Sequence, residues 1–216
     1  MPAASTLRYR LVPVSWARIE PRRGEYDEVE LAERSVAVRE LRKSGEEPIV
    51  ILHAGALPDW MISRHGWLHP DAMAGWGCYV DRVAQKLGVH VAYWLPIHGM
   101  LAEADWYEGE RKAVVRSLIE AHATAYLHLK RSQGFGGKPP EIGMVESDSG
   151  RSGSTGFRGF SRISPVAIAR VLATGKWSPP LGFFGELSNG TPALDFVALE
   201  AGSSSGEWPV GTIEVG

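Results

Sequence analysis

The stretch Pro48-Ile49-Val50-Ile51-Leu52-His53 constrains the fold more than any other, being of strand length and apolar almost throughout. Such a strand has no face to give to water, which is the situation of a parallel strand covered on both sides. The pattern recurs at 89–97, where Tyr93-Trp94-Leu95-Pro96-Ile97 turns abruptly polar at His98 and glycine at Gly99. Residues 7–16, 141–145 and 193–199 read as three further strands, although Pro13 removes one ladder donor from the first. Helical patterns at 27–44, 71–87, 112–132 and 165–175 lie between them, with Gly45, Gly88 and Gly175 as expected stops. The longest carries Val115, Leu118, Ile119, His122, Ala125, Tyr126 and Leu129 on one face. Strands alternating with helices imply an α/β chain built on a parallel sheet, either doubly wound or barrel-like. No G-x-G-x-x-G or phosphate-binding loop follows any strand, which removes the usual nucleotide argument for the doubly wound form.

The chain has 216 residues, 44% of them hydrophobic, enough for one sizeable core, so 1–216 reads as a single domain. A Gly/Ser-rich stretch at about 147–159 reads as a mobile loop, and 202–216 as a polar tail with a strand fragment at 212–215. A formal net charge of -2 gives no electrostatic case for nucleic acid or an anionic membrane as partner. No apolar run approaches the ~20 residues of a membrane span, and residues 1–6 are too short and mildly apolar for a signal peptide. The lone Cys78 sits in a helical pattern and reads as a packed thiol. A soluble, cytoplasmic protein is the expectation.

Specific segments resemble glycoside hydrolase family 1, the β-glucosidase family. Val14-Ser15-Trp16-Ala17-Arg18-Ile19-Glu20-Pro21 with Gly24-Glu25-Tyr26 is similar to that family's second-strand segment. Glu47-Pro48-Ile49-Val50, Leu57-Pro58-Asp59-Trp60 and Gly66-Trp67-Leu68 resemble its third strand and tryptophan-bearing loop. Tyr79-Val80-Asp81-Arg82-Val83 followed by Val91-Ala92-Tyr93-Trp94 resembles the approach to its T-x-N-E-P motif. Leu172-Ala173-Thr174-Gly175-Lys176 and Leu194-Asp195-Phe196-Val197-Ala198-Leu199 resemble the stretch before its sixth strand. The resemblance implies a TIM-barrel-like fold of parallel strands alternating with helices, incomplete relative to the full (β/α)8 barrel. It also implies descent from a retaining O-glycoside hydrolase, whose two glutamate carboxyls stand about 5–5.5 Å apart.

Carried over residue by residue, the family's chemistry is missing. The acid/base motif falls on Pro96-Ile97-His98-Gly99-Met100, placing Gly99 at the glutamate and His98 at the preceding asparagine. The sugar-binding histidine falls on Ala54, one residue after His53, and the strand-two arginine on Leu11, one after Arg10. The sixth-strand N-Y-Y signature falls on Glu200-Ala201-Gly202, and the first strand and the nucleophile region have no counterpart. The expectation is a protein inactive or weakly active by the family mechanism.

Other chemistry remains open at the C-terminal strand ends, where barrels carry their functional groups. His98 with Glu146 or Glu200 is a candidate catalytic acid/base set for a small ester or lactone. Trp16, His53 and Trp60 are the candidate ligand-binding residues, against the competing reading that they pack the core. Two imidazoles and a carboxylate also make a zinc set, but the pattern is unspecific, and neither metal nor cofactor is expected. The expected partner is a small molecule such as a carbohydrate. An incomplete barrel leaves two unpaired sheet edges, so self-association, a strand supplied by the tail, or marginal stability is expected as well.

Overall fold

The computed structural model describes residues 8–146, 163–182 and 185–199. Five strands, β1 (Arg8–Pro13), β2 (Glu46–His53), β3 (Tyr93–Ile97), β4 (Glu141–Glu146) and β5 (Phe196–Leu199), form one parallel sheet in chain order. Parallel neighbours in sequence order, joined by helices, are the connectivity of a (β/α) barrel. The sheet curls into a half-barrel, which the resemblance implied and the strand–helix alternation had left open beside a doubly wound form.

The helices are α1 (Trp16–Ile19), α2 (Glu28–Lys43), α3 (Asp59–Ile62), α4 (Ala72–Leu87), α5 (Met100–Ala104), α6 (Arg111–Arg131) and α7 (Pro165–Thr174). Their ends follow local chemistry. The Asp27 carboxylate accepts the Val29 and Glu30 amides at the start of α2, and Ser164 does the same for Ala167 ahead of Pro165 in α7. Gly175 ends α7 in the left-handed region at φ 70°, and a Cβ there would come within 2.8 Å of the Thr191 carbonyl carbon.

Three local expectations are corrected. Residues 14–16 do not extend β1, because Ser15 caps α1 and Trp16 is its first helical residue. Gly88 keeps helical φ/ψ and leads into a 3-10 turn, Gly88–His90, so β3 starts only at Tyr93. Cys78 is exposed: the inward set of α4 is Trp76, Tyr79, Val80, Val83 and Leu87, which leaves position 78 outside. The Gly/Ser-rich stretch and the tail expected at 202–216, with Glu200 just before it, lie outside the described residues.

Two apolar layers flank the sheet. The larger, between sheet and helices, takes Val12, Val50, Leu52 and Trp94 from the strands. The smaller lines the inner, concave face with Ile49, Ile51, Leu95, Val145, Phe196 and Ala198. Across the inner face Tyr9, Tyr93 and Phe196 form an edge-to-face row, with centroids 5.7 and 5.9 Å apart. These rings come from β1, β3 and β5, the alternate-strand layering of a barrel interior. Gly143 of β4 makes space for the row, since a Cβ there would lie 2.4 Å from the Phe196 ring.

One irregularity shapes the rim. Tyr93 and Trp94 pair with Glu141 and Ile142, and the next β3–β4 contact is His98 with Val145. β3 therefore spends four steps where β4 spends three, a bulge containing Pro96, which has no N–H for the ladder. Accordingly Trp94 and Ile97 both join the sheet–helix layer, although strict alternation would put them on opposite faces.

β5 is fastened differently. On α6, His122, Tyr126 and Lys130 recur every four residues and so share one face. His122 Nε2 donates to the Ala193 carbonyl at 2.9 Å. Tyr126 Oη donates to Asp195 Oδ1 at 3.0 Å, and Lys130 Nζ lies 2.8 Å from Asp195 Oδ2. That same Oδ2 accepts the Ile142 amide at 2.7 Å, tying the latch back to β4.

Candidate functional site

The C-terminal ends of the strands rest on a block of buried aromatic rings. Trp16, fully buried, stacks on Tyr79 at 5.2 Å and meets Trp76, Trp60 and Trp67 at 5.3–5.9 Å. Its indole N–H donates to Glu20 Oε2 at 2.7 Å, and the Gly24 amide occupies the other carboxylate oxygen at 2.8 Å. Tyr79 Oη reaches the carbonyls of Val14 at 3.2 Å and Leu52 at 3.0 Å, joining the ends of β1 and β2. Burial pushes that phenol well above its ordinary pKa, which keeps it protonated as the donor both carbonyls require. Trp60 is only partly buried, with its indole N–H on the Glu20 carbonyl at 3.1 Å and the Arg23 guanidinium 5.9 Å from its ring.

His53 ends β2 and is 1% exposed. Its ring meets Trp67 edge-on at 5.2 Å and Trp76 at 6.5 Å. Neither ring nitrogen forms a hydrogen bond among the described residues, although Nε2 lies 3.6 Å from Glu103 Oε2. Glu103 itself is 9% exposed and accepts the Trp67 indole N–H at 3.3 Å on its other oxygen. The neighbouring Tyr107 phenol, near the Trp67 amide at 3.4 Å, is pushed up in pKa by burial first and by Glu103 in addition. Glu103 carries no sequence signal: it sits in a five-residue helix too short for periodicity, one turn beyond Gly99.

His98 follows β3, with a half-buried side chain. The bulge delivers it between its neighbours: its amide donates to the His53 carbonyl at 2.9 Å, and it bridges to Val145. Gly99 then turns into the left-handed region at φ 68° and caps α5, with its amide on the Val145 carbonyl at 3.4 Å. Among the described residues, a Cβ at Gly99 would meet Ala102 Cβ alone, at 3.8 Å. Glu146 ends β4 next to Val145 and pairs with Leu199.

The backbone thus brings His53, His98 and Glu146 to consecutive strand ends, while Trp16 lies beneath them with its ring faces occupied by other aromatics. Glu200 lies outside the described residues. Among the described residues no group of three or more His, Cys, Asp or Glu side chains converges as a metal set, and no helix is long and apolar enough to cross a membrane.

A second feature of the rim is a cavity of about 260 Å³ between the ends of β1 and β2 and helix α2. Ser15, Arg18, Glu30, Arg34, Ala54 and Ala56 are among the residues lining it.

No family model matches the sequence, and no curated protein does. Solved structures do. A β-glucosidase from Exiguobacterium marinum superposes with a TM-score of 0.70 at 18% identity, over 89% of this chain and 50% of that one. A family 1 β-glucosidase from Thermotoga maritima gives 0.68 at 16% identity, over 89% and 49%. Aphid myrosinase gives 0.68 at 15%, over 88% and 50%. This chain therefore has the fold of about half of a β-glucosidase-type barrel and spans about half the length of the structures it matches.

Proposed function

We propose that this protein is a glycosidase-derived barrel that binds a small, sugar-like molecule at its rim without hydrolysing O-glycosides by the two-carboxylate route. The observation that supports this most is the end of β3. Where the resemblance places the acid/base glutamate, the chain has Gly99, which has no proton to give. The nearest following carboxylate, Glu103, is buried against Trp67 and His53 instead of facing a substrate. The residues proposed to serve such a ligand are His98, Glu146 and Glu200, with Trp60 as a partly exposed ring.

A second reading is supported by His98 itself. Its backbone is tied on both sides, to His53 and to Val145, and its side chain is half-buried, with Nε2 turned away from solvent. An imidazole at a strand end is a candidate for general acid/base work on a small ester or lactone, paired with Glu146 or Glu200.

One screen separates the readings: aryl β-glycosides and short-chain aryl esters, against the parent chain, His98→Ala and Gly99→Glu. The first reading expects no turnover by the parent on either class, with measurable monosaccharide binding that His98→Ala weakens. Ester turnover abolished by His98→Ala establishes the second. Efficient glycoside hydrolysis by the parent sinks the first.

The chain is also proposed to be one domain in a reducing, cytoplasmic setting, supported by its lone cysteine. Its outer strands, β1 and β5, are proposed as the edges through which two copies pair, supported by the open strand order. Sedimentation showing a monomer at every concentration removes the pairing, and two separate unfolding transitions remove the single domain.

A further inference from the structure

The cavity between β1, β2 and α2 has a charge arrangement that the sugar reading does not use. Glu30 is 6% exposed and is gripped by two guanidiniums. Arg18 Nη2 lies 2.6 Å from its Oε2, and Arg34 Nε donates to its Oε1 at 2.8 Å. Two cations on one carboxylate leave a single positive charge at the wall of a partly enclosed space. The donors are not exhausted. Arg34 uses only Nε, so its two Nη groups carry no hydrogen bond among the described residues, and Arg18 keeps Nε and Nη1. The Ser15 hydroxyl accepts the Arg18 amide at 3.4 Å and retains its own proton to give.

We propose that this cavity is a binding site for a small monocarboxylate, held bidentate on the Arg34 fork and finished by Arg18 and the Ser15 hydroxyl. A guanidinium presents parallel N–H groups that match the two oxygens of a carboxylate. The charge selects a monoanion, because one uncompensated positive charge is neutralised by one negative charge and a phosphate dianion overshoots it. The volume, about 260 Å³, falls just below the usual range of drug-sized pockets, so the body of the acid is compact. Ala54 and Ala56 are exposed and end at Cβ, and they leave the room this body occupies. Arg18 has a side chain 63% exposed and Arg34 one 28% exposed, so solvent screens the pairing and the affinity is millimolar.

Glu30 is the organising group. Without it the two guanidiniums repel; with it, both are held facing the same space before any ligand arrives. The site lies on the flank of the rim and is independent of His98, so it stands or falls apart from the sugar reading.

The test is a titration of the full chain with acetate, lactate and benzoate at fixed ionic strength, with methyl lactate and inorganic phosphate as comparators. Saturable binding of at least one carboxylate is expected, with methyl lactate not binding and phosphate weaker. Arg34→Gln, which removes the fork, should weaken the best carboxylate by about tenfold or more. Because that change also strips a partner from buried Glu30, Ala56→Leu is the companion variant. It fills the cavity, leaves both arginines in place, and should abolish binding while the melting temperature and monosaccharide binding stay put. Binding by none of the three acids overturns the proposal. So does binding that survives both variants, or that phosphate matches.

Discussion

The aromatic block under the rim and the latch on β5 solve the same problem by opposite means. Trp16, Trp60, Trp67, Trp76 and Tyr79 join the first two strand ends to α4 through stacked and edge-on rings. Most of what such ring contacts contribute scales with the apolar area they bury, and ring-on-ring packing itself carries no net charge. The last strand hangs instead on three directional contacts from α6, through His122, Tyr126 and Lys130. Polar contacts fix register sharply, yet each yields only a modest net stabilisation and depends on charge state. The first strands are thus built to resist, and the last strand to be placed.

The largest effect should come from the block. Trp16→Ala removes the ring that all four other members touch, and a loss of about 3–5 kcal/mol is expected in denaturant unfolding. A loss under about 1 kcal/mol would mean that the block is loosely packed and the contrast unfounded.

The latch should show itself through pH. Burial lowers the His122 pKa from 6.5 to about 4, outweighing the opposing bond to Ala193. The unfolded chain takes up a proton below its ordinary value while the folded chain refuses one until about pH 4. Stability contributed here is full above pH 6.5 and is lost as pH falls through that window, by roughly 3 kcal/mol. Subtracting the profile of His122→Gln, which can still donate to the Ala193 carbonyl, isolates this component. Superimposable profiles would show that His122 is not held neutral by burial.

Smaller effects separate the two ends of the sheet. In Gly143→Ala the new Cβ would press into the Phe196 ring at 2.4 Å, costing about 2 kcal/mol by overpacking. Amide exchange should rise at β4 and β5 and stay unchanged around Trp16. Tyr126→Phe deletes the bond to Asp195 and should cost about 1 kcal/mol, visible as faster exchange of the Ile142 amide that Asp195 also holds. If exchange rises equally throughout the sheet in both variants, the two regions unfold as one and the distinction fails.

The strands and long helices were legible because each spans enough residues to show its period. The run at 48–53 lies within β2 (Glu46–His53), and the pattern at 27–44 became α2 (Glu28–Lys43). The short helices α1, α3 and α5 were not, since four or five residues complete barely one turn. The rim histidines could be placed because each follows an apolar run. Glu103 could not, because what makes it notable is contact with Trp67 and His53, brought near by the loop after β2. The Arg18–Glu30–Arg34 group was half visible: Glu30 and Arg34 have helical i, i+4 spacing, but Arg18 joins them only through the packing of α1 on α2.

The bulge in β3 works on this rim as a frameshift works on a message. One extra residue between Trp94 and His98 inverts which positions face inward from that point to the strand end. Deleting Pro96 would therefore move every later residue of the turn into the opposite phase at one stroke. Variation in length here exchanges the whole set of rim side chains, where a substitution exchanges one. This strand end thus has two routes to a different surface, and the change of length is the faster one.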